Sequence, residues 1–157
     1  MQSIKGVTCL LLFPGSNETV PTLTQLHTSL KSSGVTVKIW RVTEISQAHL
    51  YEVKPNVIRP SEYALPSDEA SGPLLKLIEQ ADFIIADITG NSPNVIYGIG
   101  LADASRKPVL LIVQENSQPI PTTFSGEIFL SYQPTRLNKL TDYVKAWARH
   151  HQRAVAA

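Results

Sequence analysis

The segment 81–100 runs from a continuous apolar stretch through a polar turn into a helical pattern. Its apolar part, Phe83 to Ile88, is typical of a strand that is covered on both faces, as in a parallel sheet. Ser92 and Pro93 match the N-cap and the first position of a helix. A buried strand, a turn and a helix in this order constrain the chain to an α/β fold, in which ligands bind beyond the carboxyl ends of the strands.

The rest of the chain repeats this alternation. Further β-rich runs predict strands at 6–13, 35–42, 109–113 and 127–132. Apolar residues at helical spacing predict helices that begin near Val20, Asp68, Pro93 and Arg136. We therefore predict a three-layer α/β sandwich with a doubly wound, five-stranded parallel sheet of flavodoxin-like order. The length of 157 residues suits one domain over positions 1–157.

The composition argues against several classes of partner. The 14 basic and 13 acidic residues give a net charge of +1, so neither nucleic acid nor an anionic membrane surface is an expected partner. The single cysteine, Cys9, lies in an apolar run without metal-ligand spacing, which fits a reducing cytoplasm. No dinucleotide fingerprint, phosphate loop or membrane-length apolar run occurs. We expect a cytoplasmic protein that needs no metal and no bound cofactor.

Three segments are expected to meet at the carboxyl edge of the sheet. They are Pro14 to Asn17 after the first strand, the long proline-interrupted loop that begins at Thr43 and precedes Asp68, and Asp87 to Asn94 after the third strand. A long irregular segment in a compact domain is commonly functional. The sequence therefore predicts a ligand crevice between these segments.

Two features of this edge have a structural as well as a functional interpretation. The Asp87 carboxylate can accept a hydrogen bond from a ribose hydroxyl, or it can cap the Thr89–Gly90 turn. Helix capping explains Ser92, but it leaves the N–H groups of Asn94 to Ile96 facing the crevice at the positive end of the helix dipole. Both alternatives stay open for each feature.

The stretch 87–100, DITGNSPNVIYGIG, resembles the signature of the nucleoside 2-deoxyribosyltransferase-like family. Members of that family carry an Asp-X-Thr-Gly turn and then an Asn-Pro-Asn-Val-X-Tyr-Glu-X-Gly helix start. The resemblance extends over roughly residues 59–113. It implies a flavodoxin-like, TIR-like domain that binds a nucleoside, a nucleotide or an NAD-like molecule and acts on an N-glycosidic bond.

Together with the topology, the resemblance predicts which residues contact the ligand. They are Pro14, Gly15, Ser16, Ser61, Ser67, Thr89, Gly90, Asn91, Asn94 and Tyr97. The aromatic residues Trp40, Tyr51, Tyr63 and Tyr97 are suited to stack on a base or to anchor a protein partner.

The glutamate that the family uses as nucleophile or charge stabiliser falls at Gly98 in this chain. The resemblance implies that a glutamate at this position points into the pocket beside Asn94, one helical turn earlier. Three explanations fit the glycine. It leaves room for a bulkier ligand or a partner's residue, it reflects drift after activity was lost, or it replaces a natural glutamate.

N-glycosidic cleavage needs a carboxylate near the anomeric carbon, so another acid has to act if Gly98 does not. The candidates are Asp87, Asp68 and Glu62, with Glu69 next to them. Asp68 and Glu69 are also explained by a favourable interaction with a helix N-terminus.

The sequence thus leaves three functions open. The favoured one is a nucleotide-binding domain of this family in which N-glycosidic cleavage is weak or absent. The second is an active N-glycosidase or deoxyribosyltransferase that uses another carboxylate. The third is a non-catalytic assembly or signalling module, and we expect a homo-oligomer or a subunit of a larger complex in any of these cases.

Overall fold

The computed structural model describes residues 3–41, 68–115 and 129–156, with the side chains of all but 68–73 and 153–156. Strands and helices alternate along the described chain. In order they are β1 (Thr8–Leu12), α1 (Val20–Ser32), β2 (Thr36–Trp40), α2 (Asp68–Gln80), β3 (Phe83–Asp87), α3 (Pro93–Ala104), β4 (Val109–Gln114), β5 (Phe129–Tyr132) and α4 (Asn138–Ala156). Short 3-10 turns follow β1 at Asn17–Thr19 and β3 at Thr89–Asn91.

The strands form one parallel sheet in the order β2-β1-β3-β4-β5. The chain leaves β1 towards one side to form β2 and then returns to the other side of β1 to form β3. This reversal puts the topological switch point of the sheet between β1 and β3, where ligands bind in folds of this order. The predicted flavodoxin-like, doubly wound sandwich is confirmed.

Helices cover both faces of the sheet. The α1/α4 face is packed by buried side chains such as Leu26 of α1 and Val144 of α4. The α2/α3 face is packed by others, including Ile78 of α2 and Val95 of α3. The central strands are therefore apolar on both sides, as their continuous apolar runs predict.

Side chains alternate along β3, which fixes the face to which Asp87 belongs. Phe83 and Ile85 lie in the core of the α1/α4 face, whereas Ile84 and Ala86 lie in that of the α2/α3 face. With a period of two, Asp87 points to the α1/α4 face.

Several element ends differ slightly from the sequence-based expectation. Helix α4 begins at Asn138, two residues after the predicted Arg136, because a tight turn precedes it in which the Arg136 N–H donates to the Gln133 carbonyl at 2.9 Å. Helix α1 ends at Ser32 and is followed by Gly34, whose φ of 100° only glycine adopts readily.

Strand β2 lies at one edge of the sheet, and its residues are exposed or half-buried. No helix within the described ranges combines the length and the apolar character that spanning a bilayer requires.

Gly98 is a packing position on the α2/α3 face. It is buried in α3, and a Cβ at this position would lie 2.9 Å from Cδ1 of Leu12. Gly100 lies in the same helix, is exposed, and has open space where a Cβ would be. The glycine at 98 thus lets α3 approach the end of β1, which is a structural explanation that the sequence alone does not provide.

We predict that alanine substitutions at the two glycines of α3 change the folding stability differently, because only position 98 is tightly packed. Gly100→Ala is expected to raise the free energy of unfolding by about 0.5–1 kcal/mol, because alanine restricts the unfolded chain and is preferred in helices. Gly98→Ala has the same propensity gain but must displace Leu12, so its net effect should be at least about 1 kcal/mol less favourable. Urea unfolding of both variants measures the difference, and an equal gain for both would contradict the packing at position 98.

Candidate functional site

The candidate site lies at the carboxyl edge of the sheet, over the switch point between β1 and β3. The loop after β1 runs from Phe13 to Thr19, and the turn after β3 runs from Ile88 to Ser92. These two segments were predicted to converge, and the structure brings them side by side. The third predicted segment, the loop from 43 to 67, lies outside the described residues.

The loop after β1 is held in place by side chains from β4 and from the end of β2. Arg41, directly after β2, donates from Nη2 to the carbonyl of Gly15 at 3.1 Å, and it also contacts the carbonyls of Pro14 and Ser16. Gln114, at the end of β4, donates from Nε2 to the Glu18 carbonyl at 3.2 Å. The loop is therefore fixed from both sides of β1.

The turn after β3 is closed by its own side chains and by β4. Asp87 Oδ1 accepts the Thr89 N–H at 2.9 Å, and Thr89 Oγ1 accepts the Gln114 N–H at 2.9 Å. Gly90 and Asn91 both have positive φ, 78° and 54°. Glycine and asparagine are the residue types that tolerate this conformation best. Gln114 thus contacts both crevice segments and sets their separation.

Asp87 also contacts β5, two strands away. Tyr132 lies at the end of β5 and its hydroxyl donates a short hydrogen bond to Asp87 Oδ2 across β4. Both side chains are buried, and Asp87 is 0% exposed. Thr22 of α1, also buried, faces the Tyr132 hydroxyl from the other side. Both Asp87 oxygens are therefore used by the protein itself.

Burial determines the protonation of this pair. It raises the pKa of Asp87 from 3.8 to about 6, opposed by the hydrogen bonds from Thr89 and Tyr132, and the nearby Glu18 carboxylate adds to the rise. Burial, and then the neighbouring Asp87 carboxylate, raise the pKa of the Tyr132 hydroxyl well above its ordinary value. Tyr132 therefore keeps its proton and acts as the donor.

An exposed carboxylate lies directly over the switch point. Glu18 is exposed, and its Oε1 lies 3.8 Å from the position that a Cβ of Gly90 would occupy. Because Gly90 has no side chain, the carboxylate borders open backbone between the two loops. Glu18 therefore lies between the loop after β1 and the turn that Asp87 stabilises.

The predicted site residues differ in burial and in the contacts that they make. The contacts of Asp87 are those of the turn-capping alternative, since its carboxylate is buried and accepts the Thr89 N–H. Ser92 occupies the N-cap of α3, but its hydroxyl makes no capping hydrogen bond. Asn94 is half-buried and Tyr97 is about half exposed, at 51%.

Gly98 and Asp87 are not brought together. Asp87 points to the α1/α4 face, and the Cβ direction of Gly98 points to Leu12 on the α2/α3 face. Position 98 therefore adjoins the helix–sheet core, not an open space beside Asn94. Ser61, Ser67 and Glu62 lie outside the described residues, and Asp68 is described only as the first backbone position of α2.

Four residues of this edge were not identified from the sequence as site residues. They are Glu18, Arg41, Gln114 and Tyr132. A usable signal existed for three of them, because Arg41, Gln114 and Tyr132 lie at or just after the ends of predicted strands. Glu18 lies one residue beyond the segment that was predicted to line the crevice.

A separate concavity of about 530 Å³ lies along β5 and the start of α4. Leu130, Gln133, Arg136 and Lys139 are among its lining residues, and Tyr132 borders it from the side of the sheet. It is displaced from the switch point by the width of β3 and β4, so it is not the crevice that the topology predicts. Among the described residues, no group of three or more His, Cys, Asp or Glu side chains is close enough to hold a metal ion.

Comparison with known proteins shows that solved structures share the fold of this chain. No protein-family model and no curated protein sequence matches the chain. The solved structure of the CMP N-glycosidase BcmB of Clostridium botulinum is similar, with a TM-score of 0.54 and 14% identity, over 87% of this chain and 98% of that one. The chain thus shares the α/β fold of that structure.

A second structural neighbour is larger. The lysine decarboxylase LdcF of Francisella novicida matches with a TM-score of 0.54 and 12% identity over 96% of this chain. The match spans 18% of the decarboxylase, so this chain corresponds to a small part of that enzyme. At such identities both matches show a shared α/β fold.

We predict that Asp87 makes folding stability depend on pH. Its pKa in the folded protein is raised from 3.8 to about 6, so its contribution is fully present below pH 4 and is lost as the pH rises through about 6. At about 1.4 kcal/mol per unit, the loss is on the order of 3 kcal/mol. Urea unfolding between pH 4 and 7.5 should show the wild type losing this amount relative to Asp87→Asn, whereas parallel curves would contradict the buried carboxyl.

A second variant tests the partner of this carboxyl. Tyr132→Phe removes the donor to Asp87 Oδ2, which should lower the free energy of unfolding at pH 7.5 by about 1–3 kcal/mol. In the wild type this hydrogen bond lowers the pKa of Asp87, so its loss should raise that pKa. The pH at which stability is lost should therefore move above 6. If Tyr132→Phe leaves both the stability and its pH dependence unchanged, the two side chains do not interact in solution.

Proposed function

We propose that the chain is a nucleotide- or nucleoside-binding domain of the nucleoside 2-deoxyribosyltransferase-like family, with its ligand in the crevice between β1 and β3. The observation that carries this proposal is the convergence of the two crevice segments, where Glu18 lies beside Gly90 over the switch point. In doubly wound folds of this strand order, ligands bind at that point. The motif at 87–100 that resembles the family forms one of the two segments.

The shape of the fold supports the same class of ligand. The CMP N-glycosidase matches along 98% of its own length, so the likeness extends across the whole of that enzyme. A CMP-like molecule has an anionic group, a sugar with hydroxyl groups and a planar base. Helix α3 directs the positive end of its dipole to this edge, and half-exposed Tyr97 offers an aromatic face nearby on the same helix.

Contacts within the protein itself hold both crevice segments. Arg41 and Gln114 fix the loop after β1, and Asp87 fixes the turn after β3. Binding to such a preformed site avoids much of the entropy loss that ordering two loops would require. In this proposal Asp87 positions the turn and does not contact the sugar, because its carboxylate is fully buried and each oxygen accepts a hydrogen bond from the protein.

Ligand-dependent melting tests the proposal. A panel of CMP, cytidine, deoxyadenosine and NAD is added to the purified chain, and binding is confirmed by calorimetry. At a ligand concentration of 100 times Kd, stabilisation by about 2.7 kcal/mol should raise the Tm by roughly 5–10 °C. Ser16→Trp, which fills the crevice, should lose the shift.

A matched control separates blocking from general damage. Glu79→Trp adds the same side chain at an exposed site near the end of α2, at the opposite edge of the sheet, and should keep the shift. If no member of the panel changes the Tm or gives a heat of binding, the nucleotide site is refuted. If Ser16→Trp binds as well as the wild type, the ligand lies elsewhere. Light scattering on the same samples tests the expected self-association.

A further inference from the structure

Among the described side chains, the carboxylates considered at the carboxyl edge of the sheet are Asp87, Glu115 and Glu18. They differ in solvent exposure and in their hydrogen-bond partners. Asp87 is buried, with both oxygens bonded by protein groups. Glu115 follows β4, away from the switch point, and accepts from Gln133 Nε2 at 2.9 Å. Glu18 is exposed and lies over the junction of the two crevice segments.

The position of Glu18 suits a group that faces a bound sugar. Its carboxylate lies beside Gly90, where the positive φ and the missing side chain leave the backbone open to an approaching ligand. A ligand seated at the switch point, beside the turn after β3, would therefore lie next to this carboxylate.

The backbone that carries Glu18 is rigidly held. Gln114 bonds the Glu18 carbonyl, and Arg41 bonds the carbonyls of the residues just before it. A catalytic group contributes most when its position is fixed before the reaction, since the entropy of placing it is not lost in the transition state. Glu18 thus has a fixed backbone and a side chain that reaches solvent.

Position 98 is unsuited to the same role in this chain. A side chain there meets Leu12 on the α2/α3 face, whereas Glu18 lies at the mouth of the crevice. An acid that replaces the missing glutamate has to come from another segment, and the loop after β1 supplies one at the switch point.

We infer that Glu18 is the carboxylate that promotes hydrolysis of the N-glycosidic bond in this crevice, an inference that rests on the nucleotide site proposed above. The bond between the anomeric carbon and the base nitrogen breaks, and the bonding electrons leave with the base. Glu18 stabilises the positive charge on the sugar and takes a proton from the attacking water, whose oxygen bonds to the anomeric carbon. The proton then passes to the departing base, so the products are the free base and the sugar with a new hydroxyl group.

The structural alternative is that Glu18 merely complements a helix terminus. It lies in the first turn of the 3-10 helix Asn17–Thr19, where an acidic side chain is favourable. That role predicts a small change in stability on substitution and no change in a chemical rate, so the two explanations are experimentally distinct.

The test measures base release and ligand binding in the same samples. The wild type, Glu18→Gln and Glu115→Gln are each incubated with CMP, cytidine, deoxyadenosine and NAD, and the free base is quantified by chromatography. Glu18→Gln should lower the rate of base release by at least about 100-fold while the ligand-dependent melting shift is kept. Glu115→Gln, an isosteric change at the same edge, should release base like the wild type.

Several outcomes would overturn the inference. It fails if the wild type binds a ligand but releases no base, or if Glu18→Gln keeps the wild-type rate. It also fails if Glu62→Gln or Asp68→Asn abolishes release while Glu18→Gln remains active. The absence of any melting shift and of any base release would refute the nucleotide site itself, and the inference with it.

Discussion

The crevice edge depends on one buried carboxylate. Asp87 ends the central strand β3 and binds the Thr89 N–H with one oxygen and the Tyr132 hydroxyl with the other. These two hydrogen bonds shape the turn beside the switch point and attach it to β5 across β4. A carboxylate without them would be too costly to bury, and with them its pKa is still raised to about 6. The turn, the position of Gly90 and hence the surroundings of Glu18 all follow from this arrangement.

The glycine at position 98 has a physical explanation in the packing of α3. At position 98 the helix approaches the end of β1 closely enough that a Cβ would press on Leu12. This contact lies on the face of the sheet opposite Asp87, so the motif at 87–100 serves both faces. Its first part builds the turn at the crevice, and its second part packs the helix.

Most of the fold could be predicted from the sequence, because buried parallel strands leave continuous apolar runs and helices leave apolar stripes. The site was predicted only in part. The convergence of 14–17 with 87–94 follows from the rule that ligands bind at carboxyl ends of strands. The contacts of Arg41, Gln114 and Tyr132 could not be predicted, because a polar residue at a strand end gives no sign of which neighbour it contacts. The direction of Gly98 could not be predicted either, since it depends on how α3 rotates against β1.

Residue-resolved NMR is the most direct test of the proposed nucleotide binding in the crevice between β1 and β3. A 15N-labelled sample would be titrated with CMP while the backbone amide resonances are followed. We expect the largest shifts at Glu18, Gly90 and Gln114, which border the crevice from three segments. Shifts confined to the concavity along β5 and α4, or no shifts at saturating CMP, would contradict it.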